Sequence, residues 1–260
     1  MITQVLKTIG VYKLYEKFLE KQVQSQTVPE HVAVILDGNR RWAEKRSMAR
    51  PLGHYFGAKT GVDFLEWCLE IGIKTVTIYV FSKENFQRPP DEVVTVFKIV
   101  EEQVDKLSQD PRLHHNKVRV KAIGRLSELP KTLQKSLNKI EQITQDYNNF
   151  FFNIAIAYGG RTEIIDATRK IAQDLLKGSV RLEQIDETLF TKYLYTSYLP
   201  NPYPDLVIRS SGEERLSGFL LWQTAYSELF FLDVYWPDFR KIDLLRAIRT
   251  FQHRSRRFGA

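Results

Sequence analysis

The residues best equipped for chemistry lie in two short runs. The first, HVAVILDGNRRW at 31–42, sets Asp37, Gly38, Asn39, Arg40 and Arg41 directly after an unbroken apolar stretch. Gly38 lets backbone N–H groups approach an anion, and the arginines add charge-assisted hydrogen bonds. A carboxylate does not bind phosphate by itself. Asp37 among these groups therefore points to a divalent cation, Mg²⁺ first among them. Arg50 and His54 extend this cluster on the next segment. The second run, Arg209, Ser210, Ser211, Arg215 and Ser217, is again basic and rich in hydroxyls. Two such clusters suit two phosphate-bearing substrates, with Asp37 and Glu228 as the carboxylates available to a metal. Read alone, the first run also fits a buried strand with a polar turn and surface arginines.

The elements around these residues set the alternatives apart. Val32, Val34 and Leu36 alternate with Ala33 and Ile35, which predicts a strand buried on both faces. Further strands are expected at 75–81, 117–123, 150–158, 205–209 and about 229–233. Helices are expected from Val11 to Val23, up to Gly72, from Pro90 to Leu107, over 130–146, 162–177 and 186–198, and from Lys241 to Arg256. Residues 43–50 read as a polar, basic segment and 200–204 as a loop. This alternation predicts one α/β domain with a mostly parallel six-stranded sheet flanked by helices, an N-terminal helix occupying 1–27 and the catalytic unit 28–260. Asp37, Ser82, Gly124, Gly159 and Arg209 all fall at strand C-terminal ends, where ligands bind in open α/β sheets. The GAKT at 57–60 lacks the adjacent Gly-Lys of a phosphate-binding P-loop.

The chain of 260 residues is 43% hydrophobic and carries a net charge of +7, which favours anionic partners. Its basic residues gather at strand ends beside carboxylates, not in a stripe with interleaved aromatics, so a nucleic-acid binder is the weaker reading. A single cysteine, Cys68, excludes an intrachain disulfide and fits a reducing, cytoplasmic compartment. No CxxC or HExxH occurs, and no apolar run approaches a membrane span. Charges interrupt the N-terminus, so no signal peptide is expected. Tyr12, Tyr15, Phe18, Leu19 and Val23 share a helical face opposite Lys13, Lys17 and Lys21. That helix packs on the domain, with a lysine stripe that is either solvated or in peripheral contact with anionic lipid.

Four segments, HVAVILDGNRRWA, SKENFQRP, YGGRTEI and VIRSSGEERLSGFLLWQTAYSELFF, resemble in order and spacing the motifs of the cis-prenyltransferases, over about residues 28–259. The DGNRRWA form and the N-terminal helix look closer to archaeal members. The resemblance implies repeated condensation of isopentenyl diphosphate onto an allylic diphosphate primer, farnesyl or geranylgeranyl diphosphate, with Mg²⁺ assisting. It implies that Asp37 is the metal-linked catalytic carboxylate and that Gly38, Asn39, Arg40, Arg41 and Trp42 cradle the primer diphosphate with Arg50 and His54. Ser82, Lys83 and Glu84 would line the primer site, and Phe86 and Arg88 would organise the same loop. Asn85 occupies the position linked to proton removal; a neutral amide is a poor base, so positioning is its expected role. Arg209, Arg215, Leu216 and Ser217 would bind isopentenyl diphosphate, with Glu228 as a second metal-linked carboxylate.

Arg257-Phe258-Gly259 matches an element that reaches a neighbouring subunit's site, which implies a homodimer. Gly218 replaces a usual asparagine and is expected to loosen the isopentenyl site. Val62, Leu65, Leu69 and the fourth strand are expected to line a tunnel whose floor, Phe150 and Phe152, shortens the product. A non-catalytic partner subunit of the same family is disfavoured by the intact DGNRRW and by Glu228.

Overall fold

The computed structural model describes residues 11–254. Among them six strands form one sheet in the order β3-β4-β2-β1-β5-β6, every neighbouring pair parallel. The strands are β1 His31–Ile35, β2 Thr75–Ser82, β3 Val118–Ile123, β4 Phe150–Tyr158, β5 Leu206–Arg209 and β6 Glu228–Phe231. The sheet expected to be mostly parallel is wholly so. All of β1 and β4 is buried, as strands covered by helices on both faces must be.

The side chains of β1 divide between two cores by simple alternation. Val32 and Val34 join a large core with Phe64, Val100, Leu137 and Leu245, whereas Ala33 and Ile35 join a smaller one with Tyr79, Phe219 and Leu220. The helices are α1 Val11–Gln24, α2 Asn39–Glu44, α3 Arg50–Ile71, α4 Pro90–Ser108, α5 Pro111–His115, α6 Lys131–Thr144, α7 Gly160–Leu176, α8 Glu187–Lys192 and α9 Lys241–His253. Gly72 ends α3 in the left-handed region, its N–H donating back to Cys68 and Leu69 carbonyls.

Three expectations change. The segment after Gly38 is already helical at Asn39, so Arg40 and Arg41 sit in the first turn of α2. Of 186–198 only α8 is an α-helix. In α1, Leu19 and Val23 are buried, but Phe18 is 61% exposed beside Leu14 at 69%. Phe18 lies on the outer rim of the apolar arc because α1 is held flat on α9: Gln252 donates to the Val23 carbonyl at 2.9 Å, and Lys241 pairs with Glu20 at 2.7 Å. The stretches 1–10 and 255–260, including Arg257, Phe258 and Gly259, lie outside the described residues.

His31, the first residue of β1, is fully buried with its Nε2 2.8 Å from the Thr77 hydroxyl. Burial drives its pKa from 6.5 to about 4, against the pull of Asp205. Above pH 6.5 the ring is neutral folded and unfolded. Below it the unfolded chain takes up a proton that the folded chain refuses, so stability falls with pH until about pH 4. The loss attributable to this residue is roughly 3 kcal/mol. Denaturant titrations at pH 7 and pH 4.5 should show the decline, and His31→Gln should flatten it.

Candidate active site

Chain direction makes the site. From β1 the chain crosses to β2, while β5 continues to β6 on the other side of the sheet, so β1 and β5 flank the switch point at which ligands bind in open α/β sheets. Ile35 stands opposite Arg209 there. Two residues on, Asp37 Oδ2 accepts from Arg209 Nη2 at 2.8 Å. Arg209 is only 4% exposed; its Nη1 donates to Ser217 Oγ at 2.9 Å and to the Arg215 carbonyl. Asp37 Oδ1 accepts the Gly38 N–H at 2.7 Å and lies 3.6 Å from Arg41 Nη2. Ser210 Oγ accepts the Asp37 N–H at 3.0 Å and donates to the Asp37 carbonyl at 2.8 Å, pinning its backbone.

Burial by itself would raise the Asp37 pKa. The Arg209 hydrogen bond and charge, the Gly38 amide and Arg41 outweigh it and hold the carboxyl below its ordinary value, ionised at neutral pH. Gly38 is required here: its φ is +97°, and a Cβ would stand 2.7 Å from Tyr235 Cδ1.

The two cationic clusters are joined, not separate. Glu213 accepts from Arg41 Nη1 at 3.1 Å and holds Arg215 Nη1 at 2.5 Å. Arg41 Nη2 also donates to Ser211 Oγ at 2.8 Å. On the other flank Glu92 Oε1, in the first turn of α4, lies 3.6 Å from Arg40, 3.4 Å from His54 and 3.3 Å from Arg88. Glu92 escaped the sequence reading; its signal is an acid in a first helical turn behind Pro89-Pro90, a common place for one. Burial, then the Arg88 charge, lowers the His54 pKa against the pull of Glu92, so His54 is neutral at pH 7.

Asp37, Gly38, Asn39, Arg40, Arg41, Arg50, His54, Ser82, Asn85, Arg88, Arg209 and Ser217 surround one cavity of about 480 Å³. Tyr79 and Glu44, which the sequence did not mark, complete its wall. A narrower apolar cavity of about 90 Å³ shares Leu36, Asn39, His54, Val80 and Val96 with it. It runs between α3 and α4 over β2 and β4, past Val62, Leu65 and Phe152. A cationic chamber leading into an apolar shaft fits an amphipathic anion.

Other expected residues stand elsewhere. Trp42 is buried off the cavity wall: its indole N–H donates to Asp238 at 2.8 Å and its ring packs on Phe56. Lys83 pairs with Glu128, Glu84 is exposed, and Phe86 packs between Phe81 and Phe97, bracing the loop from behind. Asn85 Oδ1 accepts the Ser82 N–H at 3.1 Å, which makes the amide a loop brace at the cavity wall. Leu216 packs on the smaller core. Arg215 is exposed and paired with Glu213.

Phe150 is not on the shaft but lies under the Lys74 ammonium, 4.4 Å away. Gly218 has φ +78°, and its carbonyl accepts the Gly160 N–H at 2.7 Å, which tethers its loop to the start of α7. Glu228 must be corrected most. It opens β6 opposite Leu206, which pairs with Val32. That is five residues before Asp37, about 16 Å along the strands, and Glu228 is paired with Arg254 at 2.7 Å. Within one chain Asp37 and Glu228 do not share a metal. Among the described residues no three His, Cys, Asp or Glu side chains converge to hold one.

A family model described as "Putative undecaprenyl diphosphate synthase" matches residues 35–259. The tritrans,polycis-undecaprenyl-diphosphate synthase (geranylgeranyl-diphosphate specific) of Methanocaldococcus jannaschii is 51% identical over 98% of this chain and 91% of its own. The protein of the same name from Methanopyrus kandleri is 53% identical over 96% of this chain and 91% of its own. The solved structure of lavandulyl diphosphate synthase from Lavandula x intermedia, in complex with dimethylallyl diphosphate, superposes with a TM-score of 0.85. It is 37% identical and covers 90% of this chain and 99% of that one.

Asn39 carries both cavities, and α3 is shaped around it. A Cβ on Gly57 would lie 2.1 Å from Asn39 Oδ1. Helix propensity alone favours alanine over glycine by about 1 kcal/mol, but overpacking costs about 1–3 kcal/mol. Gly57→Ala should therefore lower the melting temperature, measured by calorimetry, instead of raising it as at an open helical position.

Proposed function

Because this chain belongs to the undecaprenyl diphosphate synthase family of cis-prenyltransferases, we propose that it adds isopentenyl diphosphate repeatedly to an allylic diphosphate primer, building a cis-polyprenyl diphosphate. The observation that carries this is the Asp37–Arg209 pair at the switch point, with cationic groups on both flanks and an apolar shaft leaving from only one. The primer has a tail to house, so its diphosphate belongs on the flank that shares Asn39 and His54 with the shaft. We assign it Gly38, Asn39, Arg40, Arg41, Arg50, His54 and Arg88. Isopentenyl diphosphate then takes Arg209, Arg215 and Ser217. Geranylgeranyl diphosphate is the expected primer, since the archaeal relatives are named for it.

In each cycle the allylic carbon–oxygen bond breaks, the double bond of isopentenyl diphosphate attacks the resulting cation, and a proton leaves. Arg40, Arg41 and Arg88 are placed to stabilise the charge gathering on the departing diphosphate. Ser82 and Asn85 hold the loop that closes the chamber wall. Asp37 is ionised and on the cavity wall, and the other carboxylate there, Glu44, is paired with Arg50. One carboxylate completed by substrate phosphate oxygens is a usual Mg²⁺ setting, and Mg²⁺ bound there would supply further charge stabilisation to the leaving group.

The assembly is a homodimer in this reading, with Arg257 and Gly259 completing a neighbour's site. Leu14 and Phe18, exposed beside Lys13, Lys17 and Lys21, make peripheral contact with anionic lipid. Among the described residues no helix is long and apolar enough to cross a membrane.

Purified protein given isopentenyl diphosphate, Mg²⁺ and geranyl, farnesyl or geranylgeranyl diphosphate should yield lengthened products by mass spectrometry. No product from any primer would overturn the reading. Asp37→Asn retains a partner for buried Arg209, so the fold should persist while kcat falls at least about a hundredfold.

A further inference from the structure

The apolar shaft does not end at Phe152. Val62, Leu65 and Leu107 line it and also line a second hollow of about 200 Å³, reached at Leu69, Leu113 and Val118. Val118 begins β3, so this hollow sits at the sheet edge opposite Asp37. From His54 to Leu69, α3 advances about 22 Å. Across the hollow stands Arg112 of α5. Its Nη1 lies 2.6 Å from Glu66 Oε2 on α3, and its Nη2 lies 2.7 Å from Asp110 Oδ2 in the turn after α4. One guanidinium thus ties α5 to α3 through Glu66, while its pair with Asp110, the residue that caps α5, holds it in place beside the end of α4.

Size gives this placement its meaning. The shaft of about 90 Å³ is well below the roughly 300–1,000 Å³ of pockets that enclose a drug-sized ligand. A chain several isoprene units long needs further space, and each unit favours continued burial. The apolar walls of the second hollow supply that space; its charged rim opposes passage beyond it.

We propose that Arg112 sets product length: the growing chain passes from the shaft into the second hollow, and the Glu66–Arg112–Asp110 clamp between α3 and α5 limits how far it extends. The proposal rests on the prenyl-elongation reading and moves the limit past Phe152, where the sequence put it.

The test is product length by mass spectrometry with isopentenyl diphosphate, Mg²⁺ and geranylgeranyl diphosphate. Arg112→Ala and Glu66→Ala should each lengthen the longest product by at least one five-carbon unit. The rate of the first addition should be unchanged, because the clamp is remote from Asp37. The Arg112 side chain is half exposed and its pair with Glu66 adds little stability, so both variants should fold, as circular dichroism will check. Leu69→Trp, which fills the hollow without touching the clamp, should shorten the product. Unchanged length in Arg112→Ala overturns the proposal, and so does unchanged length in Leu69→Trp. So does lengthening by Phe152→Ala in the absence of any by Arg112→Ala. A parent protein that elongates nothing overturns the underlying reading, and the proposal with it.

Discussion

Arg209 is the constraint around which the site is built. Its guanidinium is buried at the end of β5 and, as an arginine, cannot shed its charge. Taking such a group out of water costs several kcal/mol unless it is paired and hydrogen-bonded. Asp37, Ser217 Oγ and the Arg215 carbonyl meet that need at its two terminal nitrogens. They come from two stretches, the end of β1 and the loop after β5, so one buried cation fixes the end of β1, the register of β1 against β5 and the return of the 210–217 loop. A site that must hold two diphosphates at a set distance gains from such an anchor, because neither flank can shift without disturbing the pair.

The other cations are held by the same device at lower cost. Arg40, Arg88 and His54 converge on Glu92, and Arg41 and Arg215 on Glu213. Arginines gathered this closely would otherwise repel one another. A shared carboxylate fixes their geometry while leaving the arginines partly exposed to the cavity. The second flank adds backbone strain: Ser211, Ser217 and Leu220 all have positive φ, at 77°, 48° and 43°. Such conformations persist only where surrounding contacts over-determine them. Here the Tyr79 hydroxyl, 3.4 Å from the Ser217 carbonyl, and the Gly160 N–H on Gly218 do so.

Most of the fold was legible because buried parallel strands announce themselves. Val32–Leu36 is apolar on both faces, as is the 150–158 run apart from Asn153, and each is followed by the glycine or polar residue that ends it. The first cationic cluster of the cavity was legible for a related reason: Asp37 to Arg41 are consecutive, and one strand end delivers them together. What failed was whatever depended on register or rotation. Glu228 looked like a partner for Asp37, yet its place at the start of β6 follows only from Leu206 pairing with it. Trp42 sits within a site motif but is turned by α2 toward Asp238. Glu92 was invisible because its three partners come from 40, 54 and 88, and only the packing of α2, α3 and α4 brings them together. Phe18 belongs by period to the apolar face of α1, but the way α1 lies on α9 leaves it outside.

The small residues of α3 show how one sequence signal serves two ends. Gly53, Gly57 and Gly61 lie four apart, on one side of the helix. At Gly53 and Gly57 the missing side chain admits the backbone and amide of Asn39, which brings α2 against α3 and sets the cationic turn at the cavity mouth. One turn on, nothing lies within 4 Å of where a Gly61 Cβ would be, and Gly61 lines the shaft. The first two glycines are needed for packing, and the third leaves width for a ligand. A Cβ at 61 would meet no protein atom and would instead narrow the path from the cationic chamber to the second hollow. The spacing that lets the helices close over the diphosphate end thus also keeps them apart along the tail, on a single face of a single helix.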